Sequence, residues 1–500
     1  MSQFPEKGHP KGLAVLFATE MWERFNYYGM RAVLVLFMTK ALLVDKAFAS
    51  NLYGSYTGLI YLTPLIGGFV ADRFWGNKRS IITGGIIMAI GEFILFFCAS
   101  LYSTDAGLAN FLFYTGLGFM ITGNGFFKPN ISAMVGQLYP KGDRRIDPAY
   151  TIFYMGINTG GAIGPIVCGY LGDTGNPADF KWAFLAGGIA MLLSVLVQKL
   201  YQEKFLVDPE GKQLGNVPDD SPKATLKPVF ILIGLTALAA LMIGLLYIDA
   251  TIFSFLSYLL IGAVLVIGGY IFSDKSLTGI EKKKVAVIFT VSFFVVFFWS
   301  AFEQAGASLT FFADSQTDRT LGSYTIPTSF FQSLNSIYVV GLAPLFAWLW
   351  LALKKNEPAS PTKMAIGLAL LALGYVWIAY GVQSAVPGKL VSMIWLIGMY
   401  GLHTSGELCL SPIGLSLVNK LAPAKFASLL MAVWFLANAA ANKLAGVLSA
   451  LYPENGKVTQ FLGYQMTNLY DFFLLFVIMS GIASLLLFLI TKRLQTIMKM

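Results

Sequence analysis

Residues 12–38 read GLAVLFATEMWERFNYYGMRAVLVLFM. The two ends, GLAVLFA and AVLVLFM, are apolar enough to face lipid, yet the middle carries Glu20, Glu23, Arg24 and Arg31. A membrane core about 30 Å thick takes about 20 helical residues, and a charge at its centre costs at least ~2.5 kcal/mol. Charges persist there when they face a bundle interior or a water-filled cavity. On a helix turning 100° per residue, Glu20, Arg24, Tyr27 and Arg31 share one face. The stripe is about 16 Å long at 1.5 Å per residue, with Glu23 beside it, which is too long and too central for snorkelling. Such a helix belongs to a many-helix membrane protein with a polar interior, where these charges mark a substrate or proton route. The plainer alternative is a static ion-paired contact between helices.

The rest of the chain agrees. Of 500 residues, 56% are hydrophobic and 12% charged, against about 25% charged in soluble domains. The first apolar run continues well past a signal-peptide core, so the polar MSQFPEKGHPKG is expected to precede a retained membrane helix. Cys98, Cys168 and Cys409 are scattered in apolar stretches, which suggests neither a disulfide framework nor a metal site. A formal net charge of +9 without a basic stripe interleaved with aromatics gives no support to nucleic-acid binding.

Apolar runs predict spans at 13–40, 50–74, 79–101, 108–136, 149–172 and 181–201, then 226–247 and 252–272, then 286–313, 326–353, 363–381, 389–417, 426–450 and 469–491. The reading is an all-α integral membrane protein of 14 helices: an N-terminal six-helix bundle in 1–201, a cytoplasmic linker with an inserted hairpin (226–272) in 202–284, and a C-terminal six-helix bundle in 285–500. The hairpin, whose one acid is Asp249, is expected to pack outside the working bundle. Lys and Arg concentrate in alternate loops, including Lys78, Arg79, Arg144, Arg145, Lys282–Lys284, Lys354 and Lys355. By the positive-inside rule both termini are cytoplasmic. Two halves joined by a linker suggest a secondary transporter with its site between them.

Further charges fall inside spans: Lys128 before Pro129, Glu303, and Glu407 five residues before Pro412. Pro129 is expected to weaken its helix locally. The bases Arg24, Arg31 and Lys128 lie in the first half and the acids Glu303 and Glu407 in the second, so Arg31 with Glu303 and Lys128 with Glu407 form natural gating pairs that a charged substrate would break. Glu92 and Lys443 are left without an assigned partner, and His403 reads as a core histidine one turn before Glu407.

Several motifs together carry a resemblance. GGFVADRFWGNKRS (67–80) resembles the Gly-rich turn between helices 2 and 3 of the major facilitator superfamily. EMWERF (20–25), FFKPN (126–130), FEQ (302–304), FQSLN (331–335) and GELCLSP (406–412) resemble signatures of the proton-dependent oligopeptide transporter family within it, over nearly the whole chain. One departure is Ser336 and Ile337 where a proline is expected after Asn335.

The resemblance implies a major facilitator fold and proton-driven uptake of di- and tripeptides by alternating access, in the cytoplasmic membrane of a bacterium, with protons as the coupling ion and neither a cofactor nor an obligatory protein partner. It implies that Glu20, Glu23, Arg24 and Glu303 couple protons. Arg31 and Lys128 would hold the peptide carboxylate and Glu407, helped by Ser411, its amine. Asn158 and Asn335 would bond the backbone, and Tyr27, Tyr28, Tyr61, Trp299 and Trp434 would line side-chain pockets. The chemistry is coherent: a zwitterionic peptide needs cations at one end and an anion at the other. The alternative within transport is a proton-coupled carrier of nitrate or another small anion, for which Glu407 has no use. A peptide-handling membrane enzyme lacks HExxH, a nucleophile elbow or a Cys–His pair in the sequence, and a passive channel fits scattered charges of both signs poorly.

Overall fold

Long apolar runs with backbone groups that must be satisfied inside a membrane can only become helices or a closed barrel, and here they become helices. A computed structural model describes residues 8–140, 142–218, 221, 227–252, 255–383, 390–410, 414–454 and 457–500. Its α-helices are α1 (Lys11–Lys40), α2 (Lys46–Val70), α3 (Gly76–Leu101), α4 (Ala106–Gln137), α5 (Ile146–Gly172), α6 (Phe180–Phe205), α7 (Pro228–Thr251) and α8 (Phe255–Ser273). They continue as α9 (Gly279–Phe302), α10 (Ser308–Ser315), α11 (Ser333–Leu353), α12 (Ser360–Gln383), α13 (Ile394–Leu410), α14 (Gly414–Leu421), α15 (Ala427–Ser449) and α16 (Leu469–Lys499). Strands among the described residues are two- and three-residue pairings in loops.

Eleven helical stretches of the described residues are long and apolar enough to cross a membrane, one of them the combined Lys46–Leu101. With α2 and α3 counted separately, α1 added despite its charges and α13 despite its 17 residues, the arrangement is consistent with 14 crossings. Local chemistry starts several helices. Asp105 accepts the Leu108 N–H at the head of α4, Asn468 accepts that of Asp471 at α16, and Thr278 with Glu281 forms a reciprocal capping box at α9.

The Gly-rich turn expected in 67–80 is short: α2 continues as a π-helical turn, Ala71–Trp75, and α3 begins at Gly76. The turn ends at Gly76, whose φ of 71° is a left-handed value that glycine adopts without steric cost. Pro129 lies inside α4, which stays helical from Ala106 to Gln137. The span expected at 286–313 is interrupted by a 3-10 turn at Glu303–Gly306, between α9 and α10.

The chain forms two compact units. Unit 1 comprises Met1–Val44 and Leu59–Ile248. In it α1 packs on α5 and α6, and α3 on α4 and α6. The α1–α5 seam needs glycine, because a Cβ on Gly160 would sit 2.2 Å from the Met21 carbonyl oxygen. Unit 2 comprises Asp45–Gly58 and Asp249–Met500. There α12 packs on α13 and α16, and α15 on α8 and α9.

Candidate functional site

In unit 1 the site is built on α1. The i, i+4 spacing of Glu20 and Arg24 places them on one face, and Arg24 Nε donates to Glu20 Oε1 at 2.9 Å. Glu23 Oε2 lies 2.6 Å from the same nitrogen as an ion pair. All three are buried, at 1%, 0% and 2% exposure for Glu20, Glu23 and Arg24. The Glu23 carboxylate also accepts from Asn124 Nδ2 of α4 at 3.2 Å. Among the described residues, Glu20 Oε2 and Arg24 Nη2 have no hydrogen-bond partner. A buried cation shared by two carboxylates, with spare donor and acceptor atoms, can change partners or take up a proton without refolding anything around it. That suits proton exchange better than a saturated structural pair does.

Aromatic rings line the same helix. Arg24 lies over the Tyr27 ring at 5.4 Å and Arg31 over the Tyr28 ring at 5.8 Å. Lys128 of α4, one turn beyond Asn124, lies over the Tyr61 ring at 5.4 Å. Asn158, also buried, spends its amide on the Tyr154 carbonyl of its own helix. Glu92 is buried on α3 and accepts from Asn26 of α1 at 2.6 Å.

Unit 2 holds the second group. Glu303 opens the 3-10 turn after α9 and is buried, so the helix break sets where its carboxylate points. Glu407 on α13 accepts from Asn335 Nδ2 at 2.8 Å, and the same amide donates to Thr404 Oγ1 at 3.1 Å. This clamp joins α11 to α13 and holds an anion 8% exposed. Trp299 is half-buried against Phe298 and Phe302, while Trp434 is buried on α15. His403 lies in the core beside Tyr375, 4.7 Å between rings, as its plainer reading had it. Ser411 lies outside the described residues.

The structure thus brings together Glu20, Glu23 and Arg24 in unit 1, and Asn335 with Glu407 in unit 2. Sequence reasoning passed over Asn124, although it stands four residues before Lys128 on the same face of α4, and Thr404, three residues before Glu407. It also assigned Lys443 no partner. Lys443 Nζ lies 2.5 Å from Asp249 Oδ2, and both are 1% exposed. The carboxylate at the end of α7 is therefore buried against α15, although α7 and α8 are mostly unburied.

Known proteins resemble the chain in sequence and in fold. The sequence pattern of the POT family matches residues 78–465. The chain is 36% identical over 461 residues to the peptide transporter YePEPT of Yersinia enterocolitica, covering 88% of each. It is 32% identical over 465 residues to the di-/tripeptide transporter of Lactococcus lactis subsp. cremoris, covering 89% of this chain and 90% of that one. Among solved structures, a mutant of the peptide transporter POT in complex with alafosfalin superposes with a TM-score of 0.83 at 31% identity, covering 100% of this chain and 98% of the other. The all-α membrane fold is thus the one its relatives have, and the chain belongs to the POT family of transporters, not to an enzyme family.

Proposed function

We propose that the protein is a proton-coupled symporter that imports di- and tripeptides by alternating access across the cytoplasmic membrane of a bacterium, with both termini cytoplasmic and without a cofactor or an obligatory protein partner. The single observation that carries coupling is the buried Glu20–Arg24–Glu23 cluster with its unpartnered Glu20 Oε2 and Arg24 Nη2 atoms. A carboxylate beside Arg24 is under two opposed influences, the cation and desolvation. Small movements of the arginine therefore change its affinity for a proton. Glu303 takes part in the coupling as well, and Arg31 and Lys128 take the peptide carboxylate. Glu407, aimed by Asn335 and Thr404, takes the amine with help from Ser411. Asn158 and Asn335 read the backbone between Tyr27, Tyr28, Tyr61, Trp299 and Trp434. Arg31–Glu303 and Lys128–Glu407 are the gating salt bridges.

The relatives named above are peptide transporters, which supports this reading over a nitrate or small-anion carrier. The carboxylate of Glu407, held by Asn335, also favours a substrate with an amine. The test is Glu303→Gln. It should abolish pH-driven accumulation of dialanine while sparing counterflow exchange, in which no net proton movement is needed. Normal uphill uptake by that variant would remove Glu303 from coupling.

A further inference from the structure

Asp249 ends the first helix of the inserted hairpin, yet it is as buried as any core residue. Its Oδ1 accepts the Leu256 N–H at the head of α8 at 2.9 Å. Its Oδ2 receives Lys443 Nζ from α15 at 2.5 Å and is in hydrogen-bond contact with Ser55 Oγ from α2. Ser55 Oγ in turn accepts from Lys443 Nζ at 2.9 Å. The helices α2, α7, α8 and α15 meet at one charge pair.

The pair sits on a seam that is close-packed along its length. A Cβ on Gly54 would lie 2.7 Å from the Gly446 Cα, and one on Gly58 would lie 3.1 Å from the Ala439 carbonyl oxygen. Ser50 and Ser449 are 3.1 Å apart through their hydroxyls. A buried ion pair adds little net stability over well-packed apolar residues, but leaving one partner alone is strongly unfavourable. Packing by itself would be served as well by methionine and leucine. What the charges add is selectivity for the one arrangement in which they meet. The part of α2 that forms the seam, up to Gly58, belongs to unit 2, whereas the rest of the helix belongs to unit 1.

We propose that Asp249 and Lys443 are positioning residues of the transport cycle. The hairpin supplies the counter-ion that latches α15 to the first half of α2, and the latch is released when those helices part. The inserted hairpin is then part of the working mechanism. The proposal rests on the reading of the chain as an alternating-access transporter.

The test introduces Ser50→Cys as a reporter, since Ser50 is shielded within the seam. The chain's own Cys98, Cys168 and Cys409 are buried, and protein without the reporter is the blank. Maleimide labelling in liposomes should be faster by on the order of tenfold in Asp249→Asn, which leaves Lys443 unpaired. Dialanine uptake should lose maximal rate with little change in KM. Adding Lys443→Met should return both towards the parent, because no charge remains unpaired. If Asp249→Asn does not reach the membrane, the exchanged pair Asp249→Lys/Lys443→Asp replaces it and should label at the parental rate. Unchanged labelling in Asp249→Asn, equally fast labelling in the double variant, or fast labelling in the exchanged pair would each overturn the latch. Failure of the parent to move dialanine would contradict the transport reading instead, and would leave the labelling comparison intact.

Discussion

At the scale of single residues, the site divides into what one helix can encode and what needs two. Glu20, Glu23 and Arg24 are legible in the sequence because their three- and four-residue spacings bring them together on α1 whatever surrounds them. Glu407 and Asn335 could each be singled out, but their bond at 2.8 Å joins positions 72 apart in the chain, and no local pattern encodes it. The bond yields a prediction. A hydrogen bond to a charged group contributes about 1.5–3 kcal/mol, so Asn335→Ala should raise the KM for dialanine about 10- to 100-fold. An analogue lacking a free amino group should be little affected, because it makes no use of Glu407. A similar loss for both ligands would show that Asn335 acts elsewhere.

At the scale of elements, existence was easy to read and continuity was not. Among the described residues the apolar runs are helical, because lipid leaves the backbone no other open-ended solution. Breaks were harder to read: α4 runs through Pro129, whereas α9 stops at Glu303, three residues before Gly306. The same holds for Asp249 and Lys443, which pair across 194 residues. Loop ion pairs belong to this scale too. Between α4 and α5, the Arg145 side chain bonds Asp143 at 2.7 Å and, chiefly through its side-chain hydrogen bonds, holds that carboxyl below its ordinary value. A depressed carboxylate contributes its stabilisation above its unfolded-state pKa of about 3.9 and loses it as pH falls through the lower folded value. The pair is therefore constant from about pH 5 to 8. Arg145→Gln should leave the shape of the pH profile of dialanine uptake unchanged over that range. A displaced profile would place a titrating element in this loop as well as on α1.

At the scale of the whole molecule, the charge balance is informative once it is divided by location. On the proposed reading the +9 is a topology signal carried by loops, and the buried charges of both signs are the working parts. Two compact units of membrane-length helices in a POT-family chain make peptide–proton symport the central claim. The most direct measurement uses purified protein in liposomes loaded with a pH-sensitive dye under an inside-negative potential, offered dialanine and then nitrate. The account predicts lumenal acidification with dialanine, none with nitrate, and none with dialanine when Glu20→Gln replaces the parent. Nitrate uptake without any peptide-driven acidification would contradict it.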